Sequence, residues 1–246
     1  MKPTVSVYSM AFVMEPAQLP LHTRQDTILF HPPYDPNLDI AAINYGSNEI
    51  GVILNNVNGT FTNRVNYATG STSPYSIGVG DYNQDNRLDL IITNSGNNSM
   101  ALFLGDGNGI FDKSTIFLTG VRSSISFAIC DINKDHRLDT IVISNETGAF
   151  DILLDSFGGF ANQRKFSTDS SLQSVAVGRF NYDTRLHIVI GDSENNGVDV
   201  LLGYINIGFV NQLTLTAAND SQSRSFVIGD FNSDSRMDVV VANSGS

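Results

Sequence analysis

The sequence has no tryptophan, a single cysteine and four histidines among its 246 residues. One cysteine cannot form an intramolecular disulfide, and Cys130 lies in an apolar run, which predicts an inert buried thiol. The histidines are His22, His31, His136 and His187, and none belongs to a His-x-His or His-Glu-x-x-His zinc motif. A Gly-x-Ser-x-Gly nucleophile elbow is also missing. These absences predict a protein without enzymatic activity.

Basic residues and long apolar runs are scarce as well. Lys and Arg number 14 against 25 Asp and Glu, so the formal net charge is −11. A nucleic-acid partner is not expected, because it needs a basic surface. No stretch is long enough to cross a bilayer, so we expect no membrane insertion from this segment. Residues 5–14 are apolar, but one preceding basic residue and no small-residue cleavage site do not favour a signal peptide.

Against these absences stands a nine-residue acidic loop that recurs along the chain. Intact copies span residues 81–89, 131–139 and 230–238, with Asp, Asn, Asp and Asp at positions 1, 3, 5 and 9. Oxygen-bearing side chains at odd positions of a tight loop suit a hard cation such as calcium. The alternative is an acidic turn held by Asx hydrogen bonds, in which the carboxylates would repel one another without a counter-ion. We therefore predict a structural calcium ion in each intact loop.

The predicted ligands follow from these positions, with the residue at position 7 contributing its backbone carbonyl. They are Asp81, Asn83, Asp85, Arg87 and Asp89; Asp131, Asn133, Asp135, Arg137 and Asp139; and Asp230, Asn232, Asp234, Arg236 and Asp238. Position 12 lies in an apolar run in every loop, where an EF-hand needs Glu, so these are not EF-hands. Position 6 holds Asn86, His136 and Ser235. If a positive φ is required there, Ser235 suits it least and makes the last site the weakest.

Two degenerate copies complete the series, at residues 31–39 and 179–187. The five copies start at steps of 50, 50, 48 and 51 residues. The copy at 179–187 has Arg179 at position 1 and His187 at position 9, so two carboxylates are replaced. We expect the Arg179 guanidinium to occupy the cation's place and to donate to Asp183. The alternative is a decayed loop in which Arg179 points to solvent.

Two other markers repeat in phase with the acidic loops. Phe61, Phe111, Phe160 and Phe209 follow a glycine closely, and Thr69, Thr119, Thr168 and Thr216 recur at a similar period. Each repeat contains short Val-, Ile- and Leu-rich runs bounded by Gly, Asn, Asp and Ser, without helical periodicity. Four short strands in about 50 residues are typical of a β-propeller blade. A β-sandwich is the alternative, but it would not explain the period.

With these motifs the chain resembles the FG-GAP/VCBS repeats of integrin α-chain propellers and of many secreted or surface proteins. The resemblance covers nearly the whole chain and implies a single β-propeller domain over residues 1–246. It also implies that calcium loops join the first and second strands of a blade. An extracellular or cell-surface location is expected on this ground.

The chain ends suggest a blade count. The last repeat stops after two predicted strands, and residues 4–8 and 12–18 could supply the other two. We therefore expect five blades, closed by pairing the N- and C-terminal strands. The alternative is a fragment of a seven-bladed propeller.

The expected function is a non-enzymatic recognition or adhesion module that binds a protein through loops opposite the calcium loops. Those loops are residues 69–76, 94–98, 120–124, 168–173, 193–197 and 217–222. Tyr75 and Arg122 are the predicted partner-binding residues, because aromatic and Arg side chains are favoured at binding hot spots. A carbohydrate-binding propeller is the first alternative. A scaffold domain of a larger enzyme or surface protein is the second.

Overall fold

The computed structural model describes residues 27–30, 39–56, 58, 60–112, 114–155, 160–168, 171–181, 183, 185–192, 194, 197–203, 209–216, 222–234 and 236–244. These residues form strands and turns, and there is no helix among them that could span a membrane. The strands expected at 4–8 and 12–18, and most of the degenerate loop at 31–39, lie outside the described residues. The chain divides into two compact units, residues 1–119 with 156–159 and residues 120–155 with 160–246.

The first unit contains two four-stranded antiparallel sheets, which we call blades 1 and 2. Blade 1 consists of β1 (Thr27–Phe30), β2 (Asp39–Asn44), β3 (Glu49–Ile53) and β4 (Val65–Ala68). Blade 2 consists of β5 (Pro74–Gly80), β6 (Asp89–Asn94), β7 (Ser99–Phe103) and β8 (Thr115–Leu118). In both blades the strands lie in chain order, as in a meander.

The second unit contains two further four-stranded sheets and one two-stranded sheet within its described residues. Blade 3 consists of β9 (Ser124–Cys130), β10 (Asp139–Ser144), β11 (Ala149–Asp155) and β12 (Phe160–Ser167). Blade 4 consists of β13 (Leu172–Gly178), β14 (His187–Asp192), β15 (Gly197–Gly203) and β16 (Phe209–Thr216). Blade 5 consists of β17 (Gln222–Gly229) and β18 (Asp238–Ser244). The predicted all-β chain of four-stranded propeller blades is confirmed.

The second strand forms the buried centre of a blade. Every residue of β6, β10 and β14 is buried, and these strands are rich in Ile, Leu and Val. Such side chains pack well on both faces of a covered strand. The fourth strand of blade 2 is mostly exposed instead, so it forms the outer edge. In blade 2 the second and third strands are the most buried and the fourth is the least, so the loops on either side of the second strand are anchored to a well-packed element.

The first strands of blades 2, 3, 4 and 5 each contain a β-bulge near the start. In β5, Pro74 pairs with Asn94 and Ser76 with Thr93, which leaves Tyr75 as the extra residue. The corresponding extra residues are Ile125 in β9 and Gln173 in β13. A bulge changes the direction in which the neighbouring side chains point. The recurrence of this feature shows that the repeats share backbone geometry and not only sequence.

The fourth strands of blades 1 and 2 are shorter than the Phe marker predicts. Phe61 and Phe111 form isolated bridges with Asn55 and Gly105, and the ladders of β4 and β8 begin four residues later. The cause in blade 2 is a tight turn in which Gly109 has φ +79° and the Ile110 N–H binds Asp106. This turn places Phe111 in a bridge before the chain leaves the ladder. In blades 3 and 4 the strand begins at the marker Phe, as expected.

Aromatic contacts contribute to the packing within each unit. In the first unit, Tyr67 lies edge-on to Phe103 and Phe111, at ring-centroid distances of 6.5 and 5.7 Å. In the second unit, Phe166 stacks on Phe150 at 4.8 Å. Such pairs stabilise packing by about 0.5–1.5 kcal/mol beyond the buried area. They join strands of neighbouring blades in the first unit and two strands of one blade in the second.

Cys130 ends β9 and is partly buried rather than fully buried. Burial raises the pKa of its thiol to about 12, with smaller contributions from Asp139 and Asp131. The thiol is therefore protonated at neutral pH, which agrees with the inert side chain predicted from the sequence.

Candidate functional site

The acidic loops join the first and second strands of their blades, as the sequence resemblance implied. In blade 2 the loop follows β5 and leads into β6, and the connection from β7 to β8 returns to the same end of the sheet. The turn between β6 and β7 and the segment leading into β5 lie at the opposite end. We call these the loop end and the turn end of a blade.

In loop 81–89, the side chain at position 1 organises the backbone. The two carboxylate oxygens of Asp81 accept hydrogen bonds from the N–H groups of Asp85 and Asn86, at 3.0 and 2.9 Å. The Asn83 side chain accepts from the Asp85 N–H at 3.1 Å and donates to the Asp85 carboxylate at 2.8 Å. The residues at positions 1, 3 and 5 are thereby held in one hydrogen-bonded turn.

The same network recurs in the other intact loops. Asp131 accepts from the N–H groups of Asp135 and His136, both at 2.9 Å, and Asn133 bonds to Asp135 as Asn83 does to Asp85. Asp230 accepts from the Asp234 N–H at 3.0 Å. The three intact loops therefore share the hydrogen bond from the position-5 N–H group to the position-1 carboxylate.

Two positions in these loops have a left-handed backbone. Position 6 has φ 64° at Asn86 and 69° at His136, whereas Ser235 lies outside the described residues. Position 4 is also left-handed, with φ between 62° and 64° at Gln84, Lys134 and Ser233. Residues with a Cβ adopt this region at a cost, which Asn tolerates best. The left-handed backbone at position 4 was not predicted, because neither glycine nor asparagine marks that position in the three loops.

The carboxylate at position 9 ties the acidic loop to a distant backbone segment. Asp89 is completely buried, and its oxygens accept from the N–H groups of Tyr82 at 2.8 Å and Gly105 at 2.9 Å. Asp139 makes the same pair of contacts, with Ile132 and Asp155. In every case the distant N–H lies 16 residues further along the chain. Position 9 therefore links the loop to the end of the third strand.

The arginine at position 7 binds the carboxylate at position 5. Arg137 contacts the Asp135 carboxylate at 2.6 Å, and the guanidinium groups of Arg87 and Arg236 contact Asp85 and Asp234. The sequence predicted a role for the carbonyl of this arginine only, and the contact of its side chain was not predicted. Its guanidinium supplies a positive charge inside each acidic loop.

The pKa values of the loop carboxyls diverge. Burial raises the pKa of Asp89 and Asp139 to about 6, against the opposing effect of their backbone hydrogen bonds. The Arg236 hydrogen bond is the main cause of a lowered pKa at Asp234. At Asp85, burial opposes ionisation, but the hydrogen bonds from Arg87 and Asn83 outweigh it and lower the pKa. The position-5 carboxylate is thus readily ionised, whereas Asp89 and Asp139 are protonated more easily.

The donor set matches a hard cation in its chemistry, since every intact loop offers carboxylate and amide oxygens. Within the described residues, however, no three Asp, Glu, His or Cys side chains are grouped closely enough to hold a metal ion. The position-1 and position-5 oxygens bind N–H groups and the guanidinium of their own loop. A cation would therefore have to compete with these contacts for the carboxylates.

In loop 179–187, Arg179 does not take the place that was expected for a cation. Arg179 is exposed, and His187 is the residue that contacts the loop's polar side chains. The His187 Nε2 atom lies 2.8 Å from Asn181 Oδ1 and 3.3 Å from Asp183 Oδ1. The prediction that Arg179 donates to Asp183 is therefore wrong. The histidine at position 9 does more than remove a carboxylate, because its ring makes these contacts.

The turn ends of blades 1, 2 and 3 are fixed by the Thr marker. The Thr69 and Thr119 backbone N–H groups bind the carbonyls of Asn48 and Asn98, and Thr168 binds Gly148 in the same way. The hydroxyl groups of these threonines also donate to the same carbonyls. Each acceptor ends the turn between the second and third strands, which explains why threonine recurs there.

The predicted partner-binding residues lie at the turn ends of two different blades. Tyr75 is the bulged residue of β5 in the first unit and is partly buried. Arg122 is exposed in the segment that leads into β9 in the second unit. Parts of the predicted loops at 168–173, 193–197 and 217–222 lie outside the described residues. The assignment of Tyr75 and Arg122 to a partner stays a prediction.

Residues 35–92 and 81–142 both match the FG-GAP-like repeat family. This region consists of FG-GAP-like repeats. The matched FG-GAP-like segments include loops 81–89 and 131–139 in full, so the family prediction from the acidic motif is confirmed there. No curated protein shows significant sequence similarity to the chain.

Solved structures share the β-propeller fold with this chain. A chain from the crystal structure of BBS1N in complex with ARL6DN matches with a TM-score of 0.60 at 11% identity, over 91% of this chain and 64% of its own length. Virginiamycin B lyase from Staphylococcus aureus matches with a TM-score of 0.54 at 14% identity, over 78% of this chain and 56% of its own. At these identities the similarity concerns the fold alone, and the chain spans less than two thirds of both structures.

Proposed function

We propose that this chain is a calcium-stabilised, non-enzymatic propeller module that recognises a protein partner through the turn ends of its blades. The observation that carries the proposal is the repetition of one loop framework. Loops 81–89, 131–139 and 230–238 hold the same residues in the same hydrogen bonds, each at the loop end of its blade. The carboxylates of these loops have a structural task, which leaves the turn ends available for recognition.

Calcium would be held by the predicted ligand sets, through the side chains at positions 1, 3, 5 and 9 and the carbonyl at position 7. The ion would supply the charge that the carboxylates lack inside the loop. Arg87, Arg137 and Arg236 supply part of that charge, so the loops can fold without the ion and gain stability from it. When calcium binds, the arginine at position 7 would release the carboxylate at position 5.

The turn ends have properties that suit recognition. Their backbones are fixed by the Thr69 and Thr119 hydrogen bonds, so little ordering is required on binding. Arg122 is exposed there, and arginine is enriched at binding hot spots. The BBS1N structure was solved as a complex with another protein, ARL6DN, so a chain of related fold takes part in protein recognition.

Calcium binding is tested by isothermal titration of chelator-treated protein. Wild type should bind up to three ions, and Asp85→Ala or Asp135→Ala should remove one each. Asp112→Ala is a matched control, because Asp112 is exposed at the loop end outside the acidic loops. No heat of binding, together with an unchanged melting curve in chelator, would refute the calcium part of the proposal.

Recognition is tested by screening immobilised protein against a peptide-display library and a glycan array. A selected peptide whose binding falls in Arg122→Ala and Tyr75→Ala, but not in Asp112→Ala, supports recognition at the turn ends. Equal binding by all three variants would put the contact surface elsewhere. Saturable binding of a mono- or disaccharide without any peptide binding would replace the protein-recognition proposal by carbohydrate binding.

A further inference from the structure

The ring of His187 makes the contact that a carboxylate makes in the other loops. His187 is position 9 of loop 179–187 and is completely buried. Its Nδ1 atom accepts a hydrogen bond from the Gly203 N–H at 3.0 Å. Asp89 binds Gly105 in the same way, and both pairs are 16 residues apart. One side of the imidazole thus reproduces the link from the acidic loop to the third strand.

The other ring nitrogen faces the residues at positions 3 and 5. Because Nδ1 accepts from Gly203, the proton of the neutral ring belongs on Nε2. Nε2 lies 2.8 Å from Asn181 Oδ1 and 3.3 Å from Asp183 Oδ1. In the intact loops, the counterparts of Asn181 and Asp183 are predicted cation ligands. An N–H group therefore points at the oxygens that a cation would neutralise.

We propose that His187 holds loop 179–187 closed without a metal, with Nδ1 replacing the position-9 carboxylate and the Nε2–H group replacing the cation. A ring with one acceptor and one donor on opposite edges can perform both tasks, whereas a carboxylate can only accept. Blade 4 thereby keeps its acidic loop fixed when calcium is withdrawn. The comparison with calcium rests on the proposed function, but the contacts of His187 do not.

The surroundings of the ring favour its neutral form. Its loop contributes Asn181, Asp183, Arg185 and the Phe180 ring, whose centroid lies 6.4 Å away. Gly203 of β15 faces Nδ1, and Gly178 of β13 pairs with His187 in the sheet. Burial is the main cause of a lowered pKa at His187, with Asp183 acting in the opposite direction. Protonation would bring a second N–H against the Gly203 N–H and break this contact.

The test is amide hydrogen exchange at Gly203, with Gly105 and Asp155 as internal references, in calcium and in chelator. In wild type, exchange at Gly203 should not change on chelation. In His187→Ala, it should become at least about tenfold faster, because a buried hydrogen bond is lost. His187→Gln can accept through Oε1 and donate through Nε2, so it should retain most of the protection and serves as the conservative control.

The pH profile gives an independent measurement. The unfolded chain binds a proton at His187 near pH 6.5, whereas the folded chain resists it, so protection of Gly203 should fall as pH drops below about 6.5. His187→Gln should abolish that dependence. If His187→Ala does not fold, the loss of this pH dependence in His187→Gln still tests the role of the ring.

The outcomes separate this inference from the calcium proposal. Unchanged protection of Gly203 in His187→Ala, or a fall on chelation in wild type, would overturn the metal-free role of His187. If chelation leaves Gly105 and Asp155 unchanged while His187→Ala still exposes Gly203, the calcium proposal fails and the role of His187 stands. Arg179→Asp combined with His187→Asp should restore the nine-residue pattern and make protection of Gly203 depend on calcium.

Discussion

The Asp89 carboxylate accepts the N–H of Gly105 at 2.9 Å and so joins the start of one strand to the end of the next. Its second oxygen accepts from Tyr82 at 2.8 Å, which fixes the acidic loop to the same side chain. Since Asp89 is completely buried, both bonds are protected from water. The residue is therefore as important to the blade as to any ion that the loop binds.

We predict that Asp89→Asn destabilises the metal-free protein. The amide keeps one acceptor oxygen but places an NH2 group against a backbone N–H, which leaves a buried donor unsatisfied. The free energy of unfolding should fall by about 1–3 kcal/mol, measured by urea denaturation in chelator. Asp112→Asn, at an exposed position, should change it by less than about 0.5 kcal/mol. Equal stability of the two variants would show that the buried contacts of Asp89 have no net effect.

The pH dependence of stability should reverse sign when calcium is added. In the metal-free protein the folded pKa of Asp89 and Asp139 is about 6, above the unfolded value of about 3.9. The folded state therefore binds more protons between about pH 4 and 6, and its stability falls as pH rises through this window, by at most about 3 kcal/mol per carboxyl.

In calcium the ion competes with the proton for these carboxylates, so stability should rise with pH instead. The measurement is the difference in melting temperature between wild type and Asp89→Asn from pH 4 to 7, with and without calcium. His187 contributes a pH dependence of the opposite sign to the stability of both proteins, and taking the difference between them cancels it. The same slope in both conditions would argue against position 9 as part of an ion site.

Withdrawal of calcium should lower the melting temperature by an amount that depends on calcium concentration. Binding to the folded state alone contributes roughly 2.7 kcal/mol per site when free calcium is 100 times the dissociation constant. Asp135→Ala should lose the stabilisation that one site contributes, and titration should show one bound ion fewer. A chelator effect of the same size in wild type and Asp135→Ala would exclude loop 131–139 as a site.

Relief of backbone strain at position 6 should stabilise the protein. His136 has φ 69° and Asn86 φ 64°, a region that costs most residues roughly 1–2 kcal/mol, and Asn less. Part of the gain from glycine is lost to the unfolded state, so His136→Gly should raise stability by up to about 1 kcal/mol. Asn86→Gly should have a smaller effect. Destabilisation by His136→Gly in chelator would show that its side chain makes a compensating contact.

Patterns that depend on neighbouring residues could be predicted from the sequence. The spacing of Asp81, Asn83 and Asp85 located a loop, and the apolar runs around it located β5 and β6. The contacts that could not be predicted join segments that are distant in the sequence. Nothing in the order of residues indicates that Asp89 binds Gly105, that Thr119 holds a turn closed, or that a histidine can replace both a carboxylate and an ion. Those facts require the register of the strands.

The constant separation of 16 residues between position 9 and its backbone donor has a further consequence for how this chain tolerates changes in length. The separation is 16 residues in four pairs: Asp39 with Asn55, Asp89 with Gly105, Asp139 with Asp155, and His187 with Gly203. The spacing between successive acidic loops varies instead, with steps of 50, 50, 48 and 51 residues. Insertions and deletions are therefore accommodated outside the 16-residue span, so an engineered tag or affinity peptide should not be placed between Asp89 and Gly105.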